Sequence, residues 1–329
     1  MCADDGRGDT RRSAAPRLGI VLRQEDIEAN AGRLGALTER IAAAGIDHVT
    51  VGDHVSFAAG RGADGLVQAT ALLSSHPWLP VETGVYLITL RHPAPVARQV
   101  ATLCSLAPGR FTLGVGIGGD DPRELELCGV DPRSRGARGT ESIELLRRLM
   151  SGEEVTHSGR FFAVESAAIR PAPDPRPEIV VGGRSDAAVV RAGRLGDAWI
   201  GVWISPRRFA TVVERFAAVA GEMGRDLAEP AHVLQLWAGF GRDPDAARRA
   251  VEPVLEQEYG LPPERFERYV PCGRPADIAA ALTPYVEAGA SKVNIVPEGQ
   301  GLEARIEAVG EVGELLENEY GGKAANVSR

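Results

Sequence analysis

The stretch LGALTERIAAAGIDHVTV, residues 34–51, contains a short unit that decides the reading of the whole chain. Leu34, Leu37 and Ile41 fall at helical spacing, Gly45 stops the helix, and His48-Val49-Thr50-Val51 reads as a strand. A glycine just past a helix end supplies the left-handed residue needed there. The short apolar run after it suits a buried parallel strand. The unit recurs. Val96, Val100 and Leu103 lead through Pro108-Gly109 to Phe111-Thr112-Leu113-Gly114-Val115. Val189, Ala192 and Leu195 lead through Gly196 to Ala198-Trp199-Ile200-Gly201-Val202. Ile278 and Leu282 lead through Gly289 to Val293-Asn294-Ile295-Val296.

Four further runs complete the pattern: 18–22, 83–88, 179–181 and 233–237. Eight strands, each followed by a helical pattern, predict an α/β fold, a single (β/α)8 TIM barrel over residues 17–320 with loop insertions at its C-terminal face. The polar residues 1–16 read as a disordered leader without the apolar core of a secretory signal, and 321–329 as a flexible tail. The proline-rich stretch 171–177 reads as a long loop feeding the fifth strand. Ser185 and Asp243-Pro244 read as helix entries. Pro253 and Pro284 predict kinks or breaks in their helices.

Composition narrows the function. A formal net charge of -8 disfavours nucleic acid or an anionic membrane as partner, because either demands a basic face. No run is long enough to span a bilayer. The four cysteines, Cys2, Cys104, Cys128 and Cys272, form no CxxC pair, which argues against a disulfide framework or metal cluster and for a cytoplasmic location. HExxH and GxSxG are both absent, so metal-dependent and serine hydrolases are disfavoured, and no metal is expected.

Barrel enzymes carry their chemistry on the loops after the strands. Asp53-His54 closes the second strand. A histidine exchanges protons near neutral pH, and the adjacent carboxylate could hold it. A structural, hydrogen-bonded histidine is the plainer alternative. Gly114-Val115-Gly116-Ile117-Gly118-Gly119 matches GxGxxG, yet Asp120-Asp121-Pro122 follows where a pyrophosphate would need a helix start. The glycines are better read as letting the backbone run close to a flat ring, or as easing a barrel corner. Gly182-Gly183-Arg184-Ser185 is the stronger anion signal: two glycines end a strand, Ser185 opens a helix, and Arg184 adds a charged donor. A solvated strand-to-helix turn is the alternative. Trp203 and Ser205 are candidate substrate contacts, while Trp199 and Trp237 read chiefly as core.

Several segments together resemble the bacterial luciferase-like monooxygenases, and within them the oxidoreductases that use the deazaflavin coenzyme F-420. They are Val51-Gly52-Asp53-His54, Thr83-Gly84-Val85, Leu90-Arg91-His92-Pro93, Pro108-Gly109-Arg110-Phe111, Leu113 to Gly119, Cys128-Gly129-Val130-Asp131-Pro132 and Val181 to Ala187. The resemblance spans about residues 17–320 and implies the same barrel. It implies that Asp53 and His54 contact the cofactor and that His54 supplies a catalytic acid or base. It also implies that Gly84-Val85 forms a non-prolyl cis bulge behind the ring, that Gly118-Gly119 lines the cofactor, and that Gly182-Gly183 takes its phosphate. The sugar-phosphate dehydrogenases of the family carry a catalytic glutamate where this chain has Gly119, and a lysine near Trp203-Ile204-Ser205, so glucose-6-phosphate is a poor expectation. The expected activity is hydride transfer between coenzyme F-420 and a small organic substrate. The rivals are an FMN-dependent monooxygenase of the luciferase type, a non-catalytic flavin- or deazaflavin-binding protein, and a phosphosugar isomerase or aldolase, the last lacking a well-placed lysine. A homodimer is expected from the family alone.

Overall fold

The computed structural model describes residues 15–58 and 60–325, with side chains described up to residue 320. Eight parallel strands close on themselves: β1 (Arg17–Leu22), β2 (His48–Val51), β3 (Val81–Thr83), β4 (Phe111–Gly116), β5 (Ile179–Gly182), β6 (Ala198–Val202), β7 (Val233–Phe240) and β8 (Lys292–Glu298). Each pairs with its sequence neighbour, and β8 returns to β1 with Leu18 opposite Val293. The expected barrel is present. Helices between the strands bury the outward residues Val49, Leu113, Val181, Leu236 and Ile295 in one continuous core.

The inward face divides into two halves. Val180, Ala198, Ile200 and Val233 make an apolar half from β5, β6 and β7. From β2, β3 and β8 come His48, Thr50, Glu82, Lys292 and Asn294, all buried. The His48 Nε2 lies 2.7 Å from Asn294 Oδ1, Asn294 Nδ2 donates to Glu82, and Lys292 Nζ sits 3.9 Å from Glu82. Gly19 makes the first contact possible: a Cβ on this β1 residue would overlap the His48 ring, which must cross β1 to reach β8. Pairing His48, Asn294 and Glu82 across the barrel keeps their desolvation cost bearable.

Several boundaries differ from expectation. The third strand breaks after Thr83 and resumes at Tyr86–Leu87, and the Gly84–Val85 peptide between the two segments is cis, as the family resemblance implied. Helices Pro244–Tyr259 and Pro275–Glu287 run through Pro253 and Pro284, so the expected breaks do not occur. Ala15 and Pro16 pack at the start of β1 rather than belonging to a loose leader, and the rest of that leader, 1–14, lies outside the described residues. The last helix, Leu302–Ala325, extends into the stretch expected as a tail, and 326–329 lie outside the described residues. Between β4 and β5 a hairpin, Val155–Ser158 with Ala163–Ala167, lies along the helix Arg135–Leu149. Glu141 of that helix accepts the amides of Arg160, Phe161 and Phe162. Among the described residues no helix is long and apolar enough to cross a membrane.

The break in the third strand rests on glycines beneath it. A Cβ at Gly114 would overlap the Thr83 carbonyl oxygen, and one at Gly116 would overlap a Val85 methyl. Gly114→Ala is expected to destabilise the protein by about 3 kcal/mol, as overpacking against backbone does. Gly221→Ala, in a helix with nothing near its Cβ, should be neutral or stabilising by up to about 1 kcal/mol. Urea unfolding of both variants checks this, and equal midpoints would refute the close-packing account.

Candidate functional site at the carboxyl ends of the strands

The Asp53 carboxylate points into the protein, with its side chain fully shielded. Its Oδ1 accepts the amide of Gly65 and Arg91 Nη2, both at 2.9 Å, and its Oδ2 accepts the amide of Leu87 at 2.9 Å and Arg91 Nη1 at 2.5 Å. Both oxygens are filled. The expectation that Asp53 steadies His54 or reaches a ligand through its carboxylate is therefore corrected: it ties the end of β2 to the corner after β3.

His54 takes its carboxylate from elsewhere. Its Nδ1 lies 3.1 and 3.2 Å from the two oxygens of Glu124, on the short helix Pro122–Leu127. The same carboxylate accepts the amides of Val55 and Ser56 at 2.7 and 3.0 Å. Burial pushes the Glu124 carboxyl up, but hydrogen bonds from His54 and these amides outweigh it, and the net shift is downward. Glu124 thus presents a buried anion that fixes the imidazole plane. The ring stacks on Phe57, with centroids 4.4 Å apart, and keeps about a third of its surface exposed to the mouth. Sequence reading missed Glu124. It lies seventy residues from His54, and only its place after the β4 glycines, packed by buried Leu125 against Leu87 and Leu90, hinted at a role.

The glycines separate into two groups. Gly114 and Gly116 lie under Thr83 and Val85, so the close approach they permit is to this chain's own backbone and side chain rather than to a bound ring. Gly118, Gly119 and Gly183 have φ of +65°, +119° and +128°, values that favour glycine, and a Cβ at Gly182 would come within 3.3 Å of Val85. Gly84, Val85, Gly118, Gly119, Gly182 and Gly183 accordingly share one sector of the mouth, above β3, β4 and β5. Trp199, fully buried as expected for core, donates its indole N–H to the Gly183 carbonyl at 2.8 Å and fixes that turn.

Ser185 caps the helix Asp186–Leu195, its Oγ accepting the amide of Ala188 at 3.2 Å. Arg184 is exposed, with a long 3.4 Å bond to the Trp203 carbonyl. Free first-turn amides beside a guanidinium suit an anion. Ser205 likewise caps a helix, Pro206–Glu222, its hydroxyl accepting the amide of Arg208, and its side chain is exposed. Trp203 has a φ of +52° and packs on Tyr259 and Phe266, at centroid distances of 5.5 and 4.7 Å. With Trp237 these rings wall the side of the mouth above β6, β7 and β8. Burial pushes the Tyr259 hydroxyl up to about 12, although the indoles of Trp237 and Trp203 act against it. Arg61, from the loop after β2, meets Glu258 at 2.9 Å and brings the two sides together. A cavity of about 270 Å³ lined by Lys292, Glu82 and His48 opens at the opposite rim, away from His54.

Comparison with known proteins identifies relatives of the same fold. The family model for luciferase-like monooxygenases matches residues 17–269. An F-420-dependent glucose-6-phosphate dehydrogenase from Beutenbergia cavernae is 32% identical over 275 residues, covering 75% of this chain and 81% of that protein. An F-420-dependent hydroxymycolic acid dehydrogenase from Mycobacterium tuberculosis is 32% identical over 262 residues, covering 74% and 69%. Among solved structures, an F-420-dependent secondary alcohol dehydrogenase with an F-420–acetone adduct superposes with a TM-score of 0.77 at 21% identity, covering 90% of this chain and 98% of its own.

The Glu124 tether has a pH signature. A carboxyl lowered on folding stabilises fully above its unfolded value, near 4.5, and the benefit disappears as pH falls through the lower folded value. Glu124→Gln should therefore be less stable than wild type by about 1–3 kcal/mol at pH 7. The gap should close towards pH 3. A gap independent of pH in urea titrations would refute the charged tether.

Proposed function

Because the chain belongs to the luciferase-like monooxygenase family, we propose that it is a coenzyme F-420-dependent oxidoreductase that exchanges a hydride with a small organic substrate. The observation that carries the reading is that a tethered histidine, His54 on Glu124, shares the carboxyl-end rim with a group of positive-φ glycines and a helix start at Ser185 suited to an anion. The F-420-dependent relatives support the choice of cofactor.

The residues present fit that group. The Gly84–Val85 bulge offers a flat shelf seated on Gly114, Gly116 and Gly182. Gly118, Gly119 and Gly183, all at positive φ, shape the turns beside it, and Arg184 with the first-turn amides can take the phosphate. When bound, the deazaflavin supplies a hydride-accepting or hydride-donating carbon. The protein's part is to bind, orient and move a proton. With Nδ1 held by Glu124, His54 presents Nε2 to the mouth, where it takes the hydroxyl proton as a substrate alcohol loses its hydride, or returns it in the reverse direction. The Glu124 anion stabilises the imidazolium so formed. Trp203, Trp237 and Tyr259 keep water from the opposite wall. The free thiols Cys104, Cys128 and Cys272 support a cytoplasmic location, and the family supports a homodimer.

Parallel titration with coenzyme F-420, FMN and the phosphate-free deazaflavin tests the reading by fluorescence. Coenzyme F-420 should bind at least about tenfold more tightly than the phosphate-free deazaflavin, the worth of one charge-assisted anion site, and more tightly than FMN. His54→Ala should lower turnover by about 10²–10⁴ while leaving that binding unchanged. Preferential binding of FMN, or unchanged turnover in His54→Ala, would overturn the proposal.

A further inference from the structure

The mouth contains a second polar group that the chemistry above does not use. Along β8, Lys292 and Asn294 face the barrel interior, Val296 packs inward on Val21 and Trp237, and Glu298 continues the same alternation at the rim. Along β1, Gly19 and Val21 face inward and Arg23 follows them just past the strand. Arg23 Nη1 lies 3.2 Å from Glu298 Oε1, and only 7% of the Glu298 side chain is exposed. The pair is incompletely satisfied. Arg23 Nε is buried without a hydrogen-bond partner, and the 3.2 Å contact of Glu298 Oε1 with Arg23 Nη1 falls outside hydrogen-bond geometry. Buried polar atoms left unpaired cost stability, so their persistence at a rim that carries the chemistry calls for a partner.

The neighbouring charges restrict that partner. Glu25 holds Arg23 Nη2 at 2.9 Å, Asp26 accepts the Arg23 amide, and Arg305 grips Asp26 at 2.5 Å. An incoming carboxylate would meet Glu25, Asp26 and Glu298, and an incoming cation would meet Arg23 and Arg305. A neutral group that accepts from Arg23 and donates to Glu298 meets neither repulsion. Burial, opposed by Arg23 and Arg305 and reinforced by Asp26 and Glu25, pushes the Glu298 carboxyl up to about 7, so near neutral pH it can either accept from or donate to a neutral hydroxyl. Distance adds a second restriction. β8, β1 and β2 are adjacent, so Glu298 and His54 stand about two strand spacings apart, roughly 10 Å, with Arg23 between them. The aromatic wall lies alongside, with Trp203 just past β6, Trp237 on β7 and Tyr259 at the end of the helix Pro244–Tyr259.

We infer that Arg23 and Glu298 form a substrate anchor for a second, non-reacting hydroxyl. The substrate is then a neutral compound with an apolar body and two separated hydroxyls, one at His54 and one at this pair. The inference rests on the proposed redox site for its first hydroxyl and on the rim geometry alone for its second.

Binding rather than turnover tests it. The full chain is titrated first with coenzyme F-420, then, with that cofactor saturating, with trans-1,4-cyclohexanediol, cyclohexanol and trans-4-hydroxycyclohexanecarboxylate, followed by ligand-observed NMR. The diol should bind about tenfold more tightly than cyclohexanol, and the carboxylate more weakly than the diol. The double variant Arg23→Met/Glu298→Leu, which removes both charges together, should bind diol and cyclohexanol equally and keep its affinity for the cofactor. Equal or absent binding of the two alcohols by wild type, or a preference that survives the double variant, overturns the anchor. If the double variant does not fold, the wild-type comparison decides by itself. Failure of coenzyme F-420 to bind wild type would instead overturn the proposed function.

Discussion

One buried carboxylate organises the rim. Asp53 gathers Arg91 and the amides of Gly65 and Leu87, joining the end of β2, the helix that follows it and the corner beyond β3. Charge-assisted bonds of this kind are short and directional, and a bidentate guanidinium fixes orientation as well as distance. Because all of these groups are withdrawn from water, loosening any one leaves the others unpaired. His54 stands one residue further along the chain, so its position follows from the knot beneath it.

A second constraint operates from the other side. The Glu124 carboxylate holds the amides of Val55 and Ser56 together with the imidazole, and Leu125 anchors that short helix against Leu87 and Leu90. Two carboxylates therefore act at successive residues with opposite effects. Asp53 draws the backbone inward, and Glu124 fixes the ring at the surface of the mouth. A histidine held at Nδ1 by an anion has one nitrogen left for exchange, which is the condition a proton carrier needs.

The interior of the barrel reflects the same asymmetry. The half formed by β5, β6 and β7 is packed with valine, isoleucine and alanine, beneath the turns at Gly183 and Trp203. The other half carries the array of His48, Glu82, Lys292 and Asn294 under the end of β2. Apolar packing tolerates exchange of similar volumes, whereas a linked polar array accepts few alternatives. Gly19 shows the cost of that array, since its missing side chain is what lets His48 span a neighbouring strand.

Sequence by itself determined the alternation of helix, glycine and strand, hence the barrel, the rim on which chemistry sits, and most of the turns that form it, because periodicity and turn chemistry are local properties. Caps such as Ser185 and Asp243 were legible for the same reason. Ser205, read from sequence as a substrate contact, also caps its helix by accepting the Arg208 amide, a role visible only in the structure. Of the kinks or breaks expected at Pro253 and Pro284, the breaks do not occur, since both helices continue through their prolines. The tertiary structure alone decided that Glu124, not Asp53, partners His54, that Gly114 and Gly116 face their own chain, and that Arg23 meets Glu298 across the ends of the sequence. Those pairings join residues tens to hundreds of positions apart, and closure of the cylinder, which no local pattern encodes, is what brings them within bonding distance.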